Sequence, residues 1–72
     1  MNIYRKIALN IKRYRKLKHM TQKQLAESIG YSYEYIRRIE APKYAGGFTI
    51  ELVYLVSVAL DIDIALLFQE PV

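Results

Sequence analysis

The sequence predicts an all-α fold, a compact domain of five short helices, and three observations lead there. Apolar residues in its first half recur every three or four positions, the period of a helix. A Ser, Thr or Asp stands just before each later apolar run, where its side-chain oxygen can cap a helix. No stretch keeps the period of two that a half-buried strand needs. With 72 residues, 53% hydrophobic and 25% charged, the composition is globular and the length is that of one small domain, residues 1–72.

Ile3, Ile7, Ile11 and Tyr14 follow at spacings of four, four and three among Lys and Arg, so the segment from Asn2 to Lys18 reads as an amphipathic helix. Thr21 with Gln24 forms a capping box, in which each side chain satisfies the other's unpaired backbone amide, and starts a second helix at Gln22. Leu25, Ala26 and Ile29 form its apolar face, and Gly30 supplies the left-handed residue that closes it. Ser32 caps a third helix that runs to about Glu40, with Ile36 and Ile39 on one side. Two capped helices separated by so short a connection make a helix-turn-helix.

Pro42 stops the third helix, and residues 41–48 read as a loop. Thr49 caps a fourth helix through Leu60, where Phe48 and Val53 are spaced for a hydrophobic staple. Asp63 caps a last short helix over roughly Ile64 to Phe68.

Several function classes lose support at once. There is no cysteine and His19 is the single histidine, so neither a disulfide framework nor a zinc site is expected, and no metal or cofactor is implied. His19 reads as a solvated turn residue, and Asp61 and Asp63 as a helix end and a cap rather than paired catalytic carboxylates. Gly46-Gly47 has neither a preceding strand nor a following Lys, so it is a turn and not a phosphate loop. No nucleophile has an activating base at a suitable spacing, and an enzyme is not expected. No apolar run approaches the roughly 20 residues of a membrane span and no secretory stretch opens the sequence, which points to the cytoplasm.

Charge is informative by position. The net is +4, but residues 1–43 hold all eleven Lys and Arg with three Glu, a net +8, whereas residues 44–72 hold four acids and no base. Such segregation suggests a polyanionic partner for the first half, nucleic acid or an anionic membrane. On the third helix, with Ile36 and Ile39 inward, Ser32, Tyr33, Glu34, Arg37 and Arg38 remain outward. Those side chains can donate to or accept from base edges and phosphates.

Ile11-Lys-Arg-Tyr-Arg15, Thr21-Gln-Lys-Gln-Leu-Ala26, Gly30, Tyr35-Ile-Arg-Arg-Ile-Glu40 and Ala59-Leu-Asp-Ile62 together resemble the phage-repressor or Cro-type, XRE-like helix-turn-helix family. The likeness covers about residues 7–68 and implies a lambda-repressor-like DNA-binding domain whose third helix enters the major groove. It implies base-edge roles for Tyr33, Glu34 and Arg38, and a phosphate contact for Gln22 at the start of the second helix. Ser32, Arg37, Lys43 and Tyr44 are expected to touch the DNA backbone beside it. Ala41-Pro42 opens a longer loop where many members carry Gly and Asn or Lys, a departure that bears on the contacts of Lys43 and Tyr44. The resemblance also pairs Arg15 with Glu40 as a structural salt bridge. The remaining bases of the first helix, Arg5, Lys6, Lys12, Arg13, Lys16 and Lys18, read as general field and solubility, with one or two touching phosphate.

These readings imply a sequence-specific double-stranded DNA-binding transcriptional regulator that acts on an inverted-repeat operator as a homodimer. No membrane association is expected and no small-molecule effector is evident. The alternatives from other classes are an antitoxin-like protein-interaction module that also binds DNA, and a basic amphipathic element on an anionic membrane. For the dimer, the resemblance turns Ile50, Val53, Val56, Ser57 and Leu60 inward. That leaves Leu52, Leu55, Val58 and Ala59, joined by Leu66, as an apolar interface stripe.

Overall fold

In a computed structural model that describes residues 2–71, the chain forms α1 (Ile3–Leu17), α2 (Gln22–Ile29), α3 (Tyr33–Glu40), α4 (Ile50–Leu60) and a 3₁₀ helix (Ile64–Phe68). The all-α class and the order of elements match the sequence reading. The fifth element is 3₁₀ rather than α. It is five residues long, and its Leu66 amide donates to the Asp63 carbonyl in the tighter i to i+3 pattern.

Each helix begins on a side-chain cap. Asn2 Oδ1 accepts from the Arg5 amide at 2.9 Å, Thr21 Oγ1 from Gln24 at 3.0 Å, Ser32 Oγ from Tyr35 at 3.1 Å and Thr49 Oγ1 from Leu52 at 3.1 Å. Gln24 Oε1 accepts from the Thr21 amide at 2.9 Å, which completes the capping box. Such caps satisfy amides that have no partner inside the helix and are worth about 1 kcal/mol each.

Ile7 and Ile11 of α1, Leu25, Ala26 and Ile29 of α2, Ile36 and Ile39 of α3, four residues of α4 and Leu67 of the 3₁₀ helix make one buried cluster. Truncating Ile39 to Ala would cost about 2–5 kcal/mol by the usual cavity scale, so α3 is fixed to the body by packing and not by its own propensity. The last segment is tied to α1 by polar contacts as well. The buried Asn10 amide donates to the carbonyls of Leu67 at 2.9 Å and Gln69 at 2.7 Å, and Lys6 pairs with Glu70.

The rotation of α4 departs from the expectation. Leu52, assigned to the exposed interface stripe, is 0% exposed, whereas Ile50, assigned inward, is 66% exposed. The buried arc is Leu52, Val53, Val56, Ser57 and Leu60. Leu55 and Ala59 are half-buried against the core, Leu66 is half-buried, and Val58 is exposed as expected. Every side of α4 is apolar, so hydrophobicity alone permits more than one arc. The packing of α2 and the 3₁₀ helix against α4 selects this one.

Candidate nucleic-acid interface

The turn between α2 and α3 sets how α3 is presented. Gly30 stands at φ +75°, a left-handed position where a Cβ would be strained, and its amide donates to the Ala26 carbonyl. Ser32 then caps α3 through Oγ as an acceptor, which leaves the hydroxyl proton free at an exposed site. Ile36 and Ile39 face the core. Tyr33, Glu34, Arg37 and Arg38 all lie on the exposed side, as the sequence reading placed them.

Not all of these side chains are equally free. Arg37 pairs with Glu34 one turn earlier, and that hydrogen bond and the carboxylate charge push the Arg37 guanidinium pKa up. Arg38 and Tyr33 make no side-chain hydrogen bond or ion pair among the described residues. Tyr35, on the flank of α3, stacks on Tyr31 with ring centroids 5.5 Å apart. Burial pushes its phenol pKa up, the nearby Tyr44 and Tyr31 add to that, and Arg38 opposes it. In the loop, Lys43 is exposed, while Tyr44 is half-buried and donates its phenolic proton to the Gly47 carbonyl at 2.8 Å. A Cβ on Gly46 would stand 2.6 Å from the Tyr44 hydroxyl oxygen, so this ring position requires the glycine.

Beneath α3 lies a polar network. Arg15 donates through Nε to Glu40 Oε2 at 2.9 Å and through Nη2 to Glu40 Oε1 at 2.8 Å, and its Nη1 reaches the Met20 carbonyl at 2.7 Å. Gln22 Nε2 donates to the same Glu40 Oε1 at 3.0 Å. Both charged groups are buried and paired, the arrangement the resemblance implied. One amide proton of Gln22 is thus committed to Glu40, and the second remains for a ligand. Arg5 Nη1 donates to the Ala41 carbonyl at 3.2 Å, a cation at the C-terminal end of α3.

A groove of about 560 Å³ opens beside α3, lined by Gln22, Glu34, Arg37, Arg38, Glu40 and Pro42 and, from α1, by Lys12. The sequence places Lys12 and Arg5 among the first-helix bases of which one or two touch phosphate, without choosing between them, and gives Asn10 no role. A signal for the first two was present: Arg5 and Lys12 are seven residues apart and Lys12 and Arg15 three, which puts all three on one side of a helix. Asn10 carried no such signal, because its partners are backbone carbonyls more than fifty positions away. Among the described residues no three His, Cys, Asp or Glu gather as a metal site, and no helix is long and apolar enough to cross a membrane.

A family model described as helix-turn-helix matches residues 11–67, from the middle of α1 into the 3₁₀ helix. The chain belongs to the XRE-type helix-turn-helix family. No curated protein matches it. As a helix-turn-helix protein it has a DNA-binding, transcription-regulator type of domain, with α2 and α3 as the two helices of the motif. The exposed side of α3 and the basic groove beside it are then the surface on which nucleic acid contacts are to be sought.

Proposed function

We propose that this helix-turn-helix protein is a sequence-specific transcriptional regulator that inserts α3 into the major groove of double-stranded DNA. Tyr33, Glu34 and Arg38 read base edges, and Gln22, Ser32, Arg37, Lys43 and Tyr44 contact the backbone. The observation that carries the reading is that Arg38 and Tyr33 stand exposed on α3 with no partner among the described residues, next to a groove rich in cations. Arg is the commonest bidentate reader of guanine, and Glu34 suits a cytosine amine. For Tyr44 the contact requires giving up the Gly47 carbonyl, whereas Arg37 keeps further N–H donors beside the one on Glu34.

The protein acts as a homodimer on an inverted repeat, with its two reading helices about 34 Å apart, one turn of duplex. Support comes from the exposed apolar row of α4, in which Val58 is joined by Ile50 and Tyr54 and flanked by the half-buried Leu55 and Ala59, with Leu66 on the 3₁₀ helix. Leu52 lies in the core and takes no part.

Selection of a randomised duplex library with the purified protein tests this reading. Enrichment of one half-site sequence, repeated in inverted orientation at a fixed spacing, is expected. A library that remains random after repeated rounds would overturn sequence-specific binding.

A further inference from the structure

The structure assigns Lys12 to a contact with one phosphate of the duplex backbone, and we propose that it anchors α1 to the DNA while Arg38 reads a base. The inference rests on the DNA-binding reading above and names a residue that reading does not use.

The cations of α1 differ in what already holds them. Three of the bases on α1 are occupied inside the molecule: Arg5 on the Ala41 carbonyl, Lys6 on Glu70 and Arg15 on Glu40. Arg13 lies over the Tyr14 ring, 5.7 Å from its centre, and Lys16 and Lys18 are exposed and do not line the groove. Lys12 alone among the bases of α1 lines the groove beside α3. Both carboxylates there are already matched, Glu34 by Arg37 and Glu40 by Arg15 and Gln22. Among the described residues the uncompensated charges of the groove are therefore Lys12 from α1 and Arg38 from α3, and Gln22 of α2, with one amide proton uncommitted, lines the same groove.

An ammonium group has three donors on a flexible stem and acts as a point charge, which suits a phosphate and not the planar, paired acceptors of a base edge. Lys12 is also half-buried, so its stem is already packed and little order remains to be imposed when it meets an anion. A contact of this kind fixes the angle at which the motif sits on the duplex but carries no sequence information.

The test is a salt titration of binding, followed by fluorescence anisotropy, with the selected duplex and a scrambled duplex of equal length. Lys12→Gln should lower the slope of log affinity against log salt by about 0.9 per bound protomer on both duplexes, the amount due to one phosphate contact. Between roughly 50 and 200 mM salt the wild type then loses about 3.5-fold more affinity per protomer than the variant. Lys12→Arg should restore the slope, and the base preferences of Lys12→Gln should equal those of the wild type. An unchanged slope overturns the inference, as does a loss confined to the selected duplex. An equal drop in Lys16→Gln would make the effect the general field of α1 and overturn it too. Wild-type protein that binds neither duplex would instead overturn the DNA-binding reading, and Lys12 with it.

Discussion

The Arg15 guanidinium meets the Glu40 carboxylate through two parallel hydrogen bonds, of 2.9 and 2.8 Å, at the buried junction of α1 and α3. Glu40 ends α3 and Arg15 lies in the last turn of α1, so the pair fixes the orientation of α3 relative to the body. Because Gln22 shares Oε1 of the carboxylate, the start of α2 is held by the same group. All three elements of the candidate interface converge on one carboxylate.

Removing one partner leaves a buried charge without compensation, and the expected cost is about 3–5 kcal/mol for Arg15→Met or Glu40→Leu in urea denaturation. The double variant should recover a large part of that loss, since an apolar pair of similar volume leaves no orphan charge. Arg15→Lys should fall between, because a single ammonium cannot reproduce the planar fork. Costs near zero for both single variants would show that the pair does not orient α3.

Arg38→Ala should weaken binding to the preferred duplex by about 1–3 kcal/mol and relax discrimination at one base position, while its effect on random duplex stays smaller. Because Arg38 has no ion-pair partner among the described residues, free protein stability should be nearly unchanged. Competition binding with single-position operator variants checks this. Equal losses on preferred and random DNA would reduce Arg38 to a phosphate contact.

Features set by neighbouring residues were legible in the sequence. The caps at Thr21, Ser32, Thr49 and Asp63, the closing Gly30 and the inward Ile36 and Ile39 all depend on residues within one turn, and the structure has each of them. The Arg15 and Glu40 pair joins positions 25 apart and came from the family resemblance, not from local pattern. The bond from Gln22 to Glu40 and the clamp of Asn10 on Leu67 and Gln69 had no local signature, because their partners meet only through the tertiary fold. The rotation of α4 was not legible for another reason. A helix apolar on all sides has no preferred inward direction until its neighbours are in place.

Asp61 closes α4 in the left-handed conformation, at φ +54°, and brings a carboxylate to the negative end of the helix dipole. Relative to glycine both features disfavour an aspartate there, although aspartate tolerates the left-handed region better than most residues, and its exposed side chain makes no hydrogen bond among the described residues that would offset them. Asp61→Gly is expected to stabilise the protein by about 1 kcal/mol, read as a higher urea midpoint with an unchanged m-value. Asp61→Ala should not, since alanine keeps the Cβ that the left-handed region penalises. A glycine variant less stable than the wild type would mean that the aspartate has a favourable contact outweighing both terms.

The exposed apolar row of α4 is the expected face of self-association. Ile50, Tyr54 and Val58 are spaced four apart and are 66%, 57% and 59% exposed, so they form one ridge along the helix. Leu55 is half-buried against the core, and a charge there would disturb folding as well as association. Val58→Glu avoids this, because its side chain already faces water. It is expected to keep the helical circular dichroism and urea stability of the wild type while abolishing self-association in sedimentation velocity. Binding to the selected inverted repeat should become far weaker, whereas binding to an isolated half-site changes little, because the second copy no longer adds its contacts. Wild-type protein that sediments as a monomer at high micromolar concentration would defeat a stable dimer in solution. If Val58→Glu then still bound the inverted repeat as tightly as the wild type, this ridge would have no part in assembly on DNA either.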